Sequence, residues 1–150
     1  MHVLGISVDP NGGNPRLRCV VLSGDQSHPL LISEFDISTA ATDSAVQSVD
    51  LAKLLLGRLP GLAINQAVIR KAGPASHPNR RQAQFSRAHT EGAVLYVLSE
   101  HLGTGVSVGD PQSLATSAGM KKTELVSRGT AVSKKRCDAA LAGLSLLPPP

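Results

Sequence analysis

Apolar residues occur along this chain in short blocks whose spacing changes from strand-like to helix-like and back. Residues 3–8 are apolar and β-branched, which predicts a strand, and the turn residues Asp9-Pro10-Asn11-Gly12-Gly13-Asn14-Pro15 force a reversal. Residues 17–22 predict a second strand, Gly24-Asp25 another turn, and residues 30–37 a third strand with Ile32 and Phe35 in the core. An antiparallel meander is the economical arrangement of three such strands.

The period then lengthens. Thr42-Asp43-Ser44 supplies N-capping side chains, and Val46, Val49, Leu51, Leu54, Leu55 and Leu59 form the stripe of an amphipathic helix, which Pro60-Gly61 is expected to stop. Residues 62–69 are an apolar run broken only by Asn65-Gln66, as expected of a strand covered on both faces. Following a helix, it lies parallel to the first strand through a right-handed crossover. Residues 70–81 read as a basic, proline-containing surface loop. A second long helix is predicted from about Gln82 to His101, with Ala88, Gly92, Leu95, Leu98 and Leu102 on one face and Gly92-Ala93 allowing close approach to a neighbour. Residues 105–108 predict a short strand, and Asp110-Pro111 an N-cap and first helical position of a small helix through Leu114. Beyond Gly119 the chain turns basic. Ser133 is expected to cap a last helix with Cys137, Ala140, Leu141, Leu144 and Leu147 on one face, ended by the prolines at 148–150. The layout is one α/β domain over residues 1–147 with a proline tail, without internal repeats.

Composition narrows this picture. The chain has 150 residues, no Trp, one Tyr and two Phe, so its core is built from Leu, Val, Ile and Ala, which suits helices packed on a sheet and not an aromatic-rich sandwich. Cys19 and Cys137 stand in unrelated apolar surroundings without metal-ligand spacing and are expected to be buried thiols. The start of the chain carries neither a basic region nor a long apolar run, which predicts a cytoplasmic protein without a membrane span. A net charge of +4 favours polyanionic partners without requiring them.

The order of elements, together with four short segments and a closing acid, resembles the RNase H-like fold in its RuvC-type variant. Leu4-Gly5-Ile6 with Asp9-Pro10 resembles the family's Gly-Ile-Asp-Pro-Gly start, and Leu62-Ala63-Ile64-Asn65-Gln66 its central strand, which normally ends in Ile-Glu. Residues 87–95 resemble its small-residue helix, Pro111-Gln112-Ser113-Leu114 with Lys121-Lys122 its basic approach to the last helix, and Cys137-Asp138-Ala139-Ala140-Leu141 its closing acid. The resemblance spans nearly the whole chain, but each match is short. It implies a mixed five-stranded sheet, three antiparallel strands then two parallel ones, flanked by helices. It also implies an endonuclease for structured DNA or RNA, using two Mg2+ ions held by carboxylates of the first strand, central strand and last helix. Two such ions about 4 Å apart clamp the attacking water and the leaving oxygen.

The acid set departs from that pattern. Strict register puts Ser7 at the first corner, with Asp9 on the same strand face roughly 7 Å further along. Asp9 is thus either a displaced metal and catalytic ligand or the start of a turn. Asn65-Gln66 puts an amide at the central corner, and a neutral amide is a weaker magnesium ligand than carboxylate. Asp138 is either the closing metal and catalytic acid or the partner of Lys134 across one helical turn. Glu91, bordering the apolar face of the second long helix, is a migrated catalytic acid or an ordinary flanking glutamate. His77 and His89 are either general bases or ordinary surface histidines, and neither has a partner fixed by sequence. The basic residues Arg70, Lys71, Arg80, Arg81, Lys121, Lys122, Lys134 and Lys135, with Arg136, make a phosphate-binding face if the fold gathers them, or a solvated set of loop charges if it does not.

The leading expectation is a RuvC-like domain with a degraded metal site that binds nucleic acid or acts within a complex, including one with a second copy of itself, without efficient catalysis. The alternatives are an active Mg-dependent endonuclease with relocated carboxylates, and a structural module that kept only the fold.

Overall fold

The computed structural model describes residues 1–71 and 81–150, without the side chains of 81 and 82. Three strands come first: β1 (Val3–Asp9), β2 (Arg16–Gly24) and β3 (Pro29–Ser38). Then follow α1 (Ser44–Leu62), β4 (Gln66–Arg70), α2 (Arg81–Leu102), β5 (Val106–Gly109), α3 (Pro111–Ser117), α4 (Lys122–Val132) and α5 (Cys137–Leu146). The five strands form one sheet in the order β3-β2-β1-β4-β5. β1–β2 and β2–β3 are antiparallel, while β1–β4 and β4–β5 are parallel, so the predicted mixed sheet is the observed one. No helix among the described residues is long and apolar enough to cross a membrane.

Strand alternation divides the interior in two. Leu4, Ile6, Val8, Leu17, Cys19, Ala67 and Ile69 pack with Leu51, Leu55 and Leu59 of α1 and Val94 and Leu98 of α2. Val3, Val20, Leu22 and Val68 pack on the opposite face, with Leu125 of α4 and Ala140, Leu141 and Leu144 of α5. Gly5 belongs to this second face. A Cβ there would collide with the Ala139 carbonyl oxygen and with the Gly143 backbone, so glycine is what lets α5 rest directly on β1.

Several sequence expectations change. Ile32 is 49% exposed, like its neighbours Leu30 and Leu31 on the edge strand β3, and a β-bulge opposite Val21/Leu22 leaves it out of the ladder. Phe35 is only partly buried, with the Arg58 guanidinium 4.9 Å from its ring centroid. On α1 the buried face is Gln47, Ser48, Leu51, Ala52, Leu55 and Leu59, whereas Val46, Val49 and Leu54 are exposed. Gln47 turns the helix by donating its side-chain amide to the carbonyls of Gly13 (3.1 Å) and Ala41 (2.8 Å). The cap is Asp43, as its side chain accepts from the N–H groups of Ala45 and Val46. Pro60 does not stop α1; it sits exposed in the last turn, and the helix ends at Ala63 in a left-handed conformation.

On α2 the fully buried positions are Thr90, Val94 and Leu98; Leu95 and Leu102 of the expected face pack partly buried against the core, whereas Ala88 and Gly92 are exposed. A Cβ at Gly92 would meet nothing, and the close contact of α1 with α2 runs instead through the buried Ser48 and Thr90 hydroxyls, 3.1 Å apart. Helix α4 escaped the sequence pattern altogether. It buries only Leu125 and Gly129, and Gly129 serves the crossing with α5, where an added Cβ would lie 2.9 Å from the Cys137 carbonyl oxygen. Ser133 follows α4, and α5 starts at Cys137 with Arg136 as its cap residue; Ser133 Oγ still accepts the Arg136 N–H at 3.1 Å. The small helix α3 has the expected start, with the Asp110 carboxylate accepting from the Ser113 N–H at 2.9 Å. Except for its ends, the predicted loop over 70–81 lies outside the described residues, as does His77.

Candidate functional site

The parallel register of β1 and β4 decides which residues meet. It pairs Val3 with Gln66 and Ser7 with Arg70, so the strand exits bring a serine beside an arginine. Asn65 lies at the other end, exposed, with its Oδ1 accepting the His2 N–H at 2.8 Å and its own N–H donating to the His2 carbonyl at 2.9 Å. Five residues of strand, roughly 16 Å, separate it from Arg70. The expectation of an amide at the central corner is therefore corrected: the strand ends Ile69-Arg70, and the residue beside Ser7 is a cation. The Ile64-Asn65 likeness misled because the helix runs on to Leu62 and the strand starts only at Gln66.

Ser7, Asp9 and Arg70 occupy the sheet face on which α5 packs, and their neighbours come from four other elements. The β1–β2 hairpin sets Arg16 opposite Asp9 and Arg18 opposite Ser7. Arg16 Nε donates to Asp9 Oδ2 at 2.9 Å, and Arg18 donates to the same oxygen from Nε (3.3 Å) and Nη2 (3.1 Å). The Asn11 N–H donates to Asp9 Oδ1 at 3.1 Å, which is the turn role the sequence also allowed. Burial raises the Asp9 carboxyl's pKa, but the hydrogen bonds from Arg16, Asn11 and Arg18 outweigh it and hold the group below the ordinary carboxylate range.

Asp138 stands in the first turn of α5, where a carboxylate suits the helix dipole. Lys134 precedes the helix, so the expected pairing across one turn is not made; Asp138 Oδ1 instead lies 3.6 Å from Arg70 Nε. Glu91 accepts from Arg87 Nε at 2.8 Å, and Arg87 Nη2 reaches the Arg70 carbonyl at 3.3 Å. Arg136 donates from Nε to Asp36 at 2.8 Å and lies 3.3 Å from Glu34 through Nη1. Part of this network lines a cleft of about 240 Å³, among its residues Ser7, Asp9, Arg18, Arg87, Lys135 and Asp138. Cys137 also lines it and is only partly buried, unlike Cys19, whose full burial pushes its thiol pKa up.

The donor set does not fit two magnesium ions. Ser7 and Arg70 stand at the first two corners, and Asp9 already accepts from two guanidiniums. Among the described residues no three His, Cys, Asp or Glu side chains converge to hold a metal, so Asp9, Glu91 and Asp138 do not form one ligand set. Lys71, Lys134 and Lys135 are exposed near this end of the sheet, and His89 is exposed on α2. Lys121 and Lys122 begin α4 and are set apart from Lys134 and Lys135 by its whole length, roughly 16 Å. Arg80 and the Arg81 side chain lie outside the described residues. Sequence reasoning passed over Arg16, Arg18 and Arg87. The Arg-Leu-Arg alternation in β2 was a usable signal for the first two, since a hairpin folded at residues 10–15 must bring them over Asp9 and Ser7.

Among solved structures, Thermus thermophilus RuvC in complex with its Holliday junction substrate is similar over 97% of this chain and 91% of that one, with TM-score 0.70 and 15% identity. A second Thermus thermophilus RuvC structure is similar over 97% and 92%, with TM-score 0.70 and 14% identity. The fold is RuvC-like. The yeast mitochondrial Holliday junction resolvase is also similar, at TM-score 0.63 and 11% identity, over 95% of this chain and 76% of that one. No protein-family model matches this RuvC-like chain, and no curated protein matches its sequence.

Proposed function

We propose that this RuvC-like domain binds structured nucleic acid and does not cleave it efficiently. The observation that carries this reading is the Ser7–Arg70 pairing at the exits of β1 and β4. A two-ion phosphodiester cut needs clustered carboxylates there, and a guanidinium in that cluster repels the ions it would have to hold. Binding is favoured by the net charge of +4 and by the exposed Lys71, Lys134 and Lys135 beside the cleft. The RuvC structure named above holds a Holliday junction, which makes a four-way DNA junction the first substrate to try.

In an electrophoretic shift experiment the purified protein retards a four-way junction at low salt, and the retardation fades as salt rises. Added magnesium or manganese leaves the junction intact. Strong metal-dependent cleavage that disappears in Asp138→Ala would refute the proposal in favour of a relocated active site.

The exposed Val46, Val49, Leu54 and Leu56 of α1 favour a second element of this reading, in which the domain works within an assembly, a second copy being the simplest partner. Light scattering of the eluted protein at the mass of a monomer over a wide concentration range would remove that element.

A further inference from the structure

We propose that the cleft at the exits of β1 and β4 is a metal-free phosphate site, in which this chain's cations grip a phosphate group where the resemblance implied magnesium. The inference deepens the function proposed above and rests on it only for the source of the phosphate.

The lining sets four cationic side chains, Arg18, Arg87, Lys135 and Arg136, against two carboxylates, Asp9 and Asp138. Most of these cations are already held in place. Glu91 fixes Arg87, and Asp36 with Glu34 fixes Arg136, yet none of these three acids lines the cleft. Arg18 is tied to Asp9 and, through Nη1, to the Lys135 carbonyl at 3.0 Å. A guanidinium has five N–H donors, so one anchored from behind still offers donors forward and loses little freedom when an anion arrives.

One lining cation remains uncommitted. Lys135 is exposed and has no ion pair among the described residues. Arg70 is not part of the lining; its Nε lies 3.6 Å from the lining carboxylate of Asp138. The N-terminus of the ten-residue α5 opens on the same space through Cys137 and Asp138. A divalent cation meets the opposite conditions, four cations and a carboxylate already claimed. The acids behind the cations offset much of the charge, so free phosphate binds more weakly than a polyanion that also touches Lys71 and Lys134.

The test follows the arginine Nε–H resonances of the full-length 15N-labelled protein by NMR while inorganic phosphate is added in the presence of EDTA. In parallel, four-way junction binding is measured with EDTA. Saturable shifts at Arg18 and Arg87, not reproduced by chloride at equal ionic strength and weakened about tenfold by Lys135→Glu, support the site. A matching loss of junction affinity in Lys135→Glu, larger than in Lys121→Glu, assigns the phosphate to the nucleic-acid backbone. Phosphate binding without any junction binding keeps the site, assigns it to small phosphates, and defeats the nucleic-acid function. Junction binding that ignores Lys135→Glu, with no phosphate shifts, overturns the site and leaves that function standing. Phosphate shifts that occur only when magnesium replaces EDTA overturn it as well.

Discussion

The paired strands β1 and β4 have two ends that have become different things. At the entry end, Asn65 and His2 are joined by two hydrogen bonds of 2.8 and 2.9 Å that use backbone groups and one side-chain amide. At the exit end, Ser7 faces Arg70, and Asp9, Arg18, Arg87 and Asp138 crowd round them in a network of ion pairs. Both ends carry polar residues next to apolar strand. What separates a surface clasp from a candidate site is register alone, because the parallel ladder fixes which end of β4 lies beside the residues that follow Ile6.

The largest way to break this contrast is to lift α5 off the sheet. Gly5→Val drives a side chain into the Ala139 and Gly143 backbone, which cannot move aside as a side chain could. The expected cost is about 3 kcal/mol or more, seen in a thermal melt as a fall in Tm of roughly 6–12 °C. An unchanged Tm would mean that α5 does not carry Asp138 to the exit end by resting on β1.

A double change reverses the charge of the exit end. Ser7→Asp with Arg70→Glu places two carboxylates at paired positions beside Asp138, and manganese at about 100 times its Kd then stabilises the variant by about 2.7 kcal/mol. The unaltered protein shows no manganese-dependent rise in Tm. Equal shifts in both proteins would show that Arg70 does not bar the ion.

Asp9→Asn probes the charge network more gently. Losing the charge that holds Arg16 and Arg18 costs about 1–2 kcal/mol. The Asp9 pKa is lowered in the folded protein, so its contribution is complete above the unfolded value of about 3.9 and fades as pH falls through the folded value below it. Urea denaturation should therefore separate the two proteins near neutrality and bring them together in strong acid. A gap that persists undiminished would assign the cost to packing. The smallest effect belongs to the entry end: Asn65→Ala removes one hydrogen bond, costs about 1 kcal/mol or less, and leaves junction affinity unchanged. A drop in affinity there would return the amide to the site.

Most of the architecture was legible because burial follows period. The apolar runs of β1 and β2, the Asp43 and Asp110 caps and the apolar run after α1 each depend on a few neighbouring residues, and each was found close to its place. The misses have a common physical origin in contacts with distant partners. Helix α4 has almost no apolar stripe because Gly129, not a large side chain, makes its contact with α5. Ile32 stays out of the core because β3 is the edge strand, exposed there with Leu30 and Leu31. Gln47 displaced Val46 and Val49 from the buried face through bonds to carbonyls elsewhere in the chain. In the site, Asp9 and Asp138 stand at the same end of the sheet. Their partners were not anticipated, because arginines contributed by β2, β4 and α2 meet only after the sheet has closed.

By itself the sequence determined the order of elements, the layered α/β interior and the shortage of acids, since these follow from local periodicity, capping and composition. The tertiary structure decided where the shortage falls. Sliding β4 along β1 changes no residue's own preference, yet it moves Asn65 to the outer end and Arg70 to the inner one, and that choice is made by the backbone hydrogen bonds of the parallel ladder.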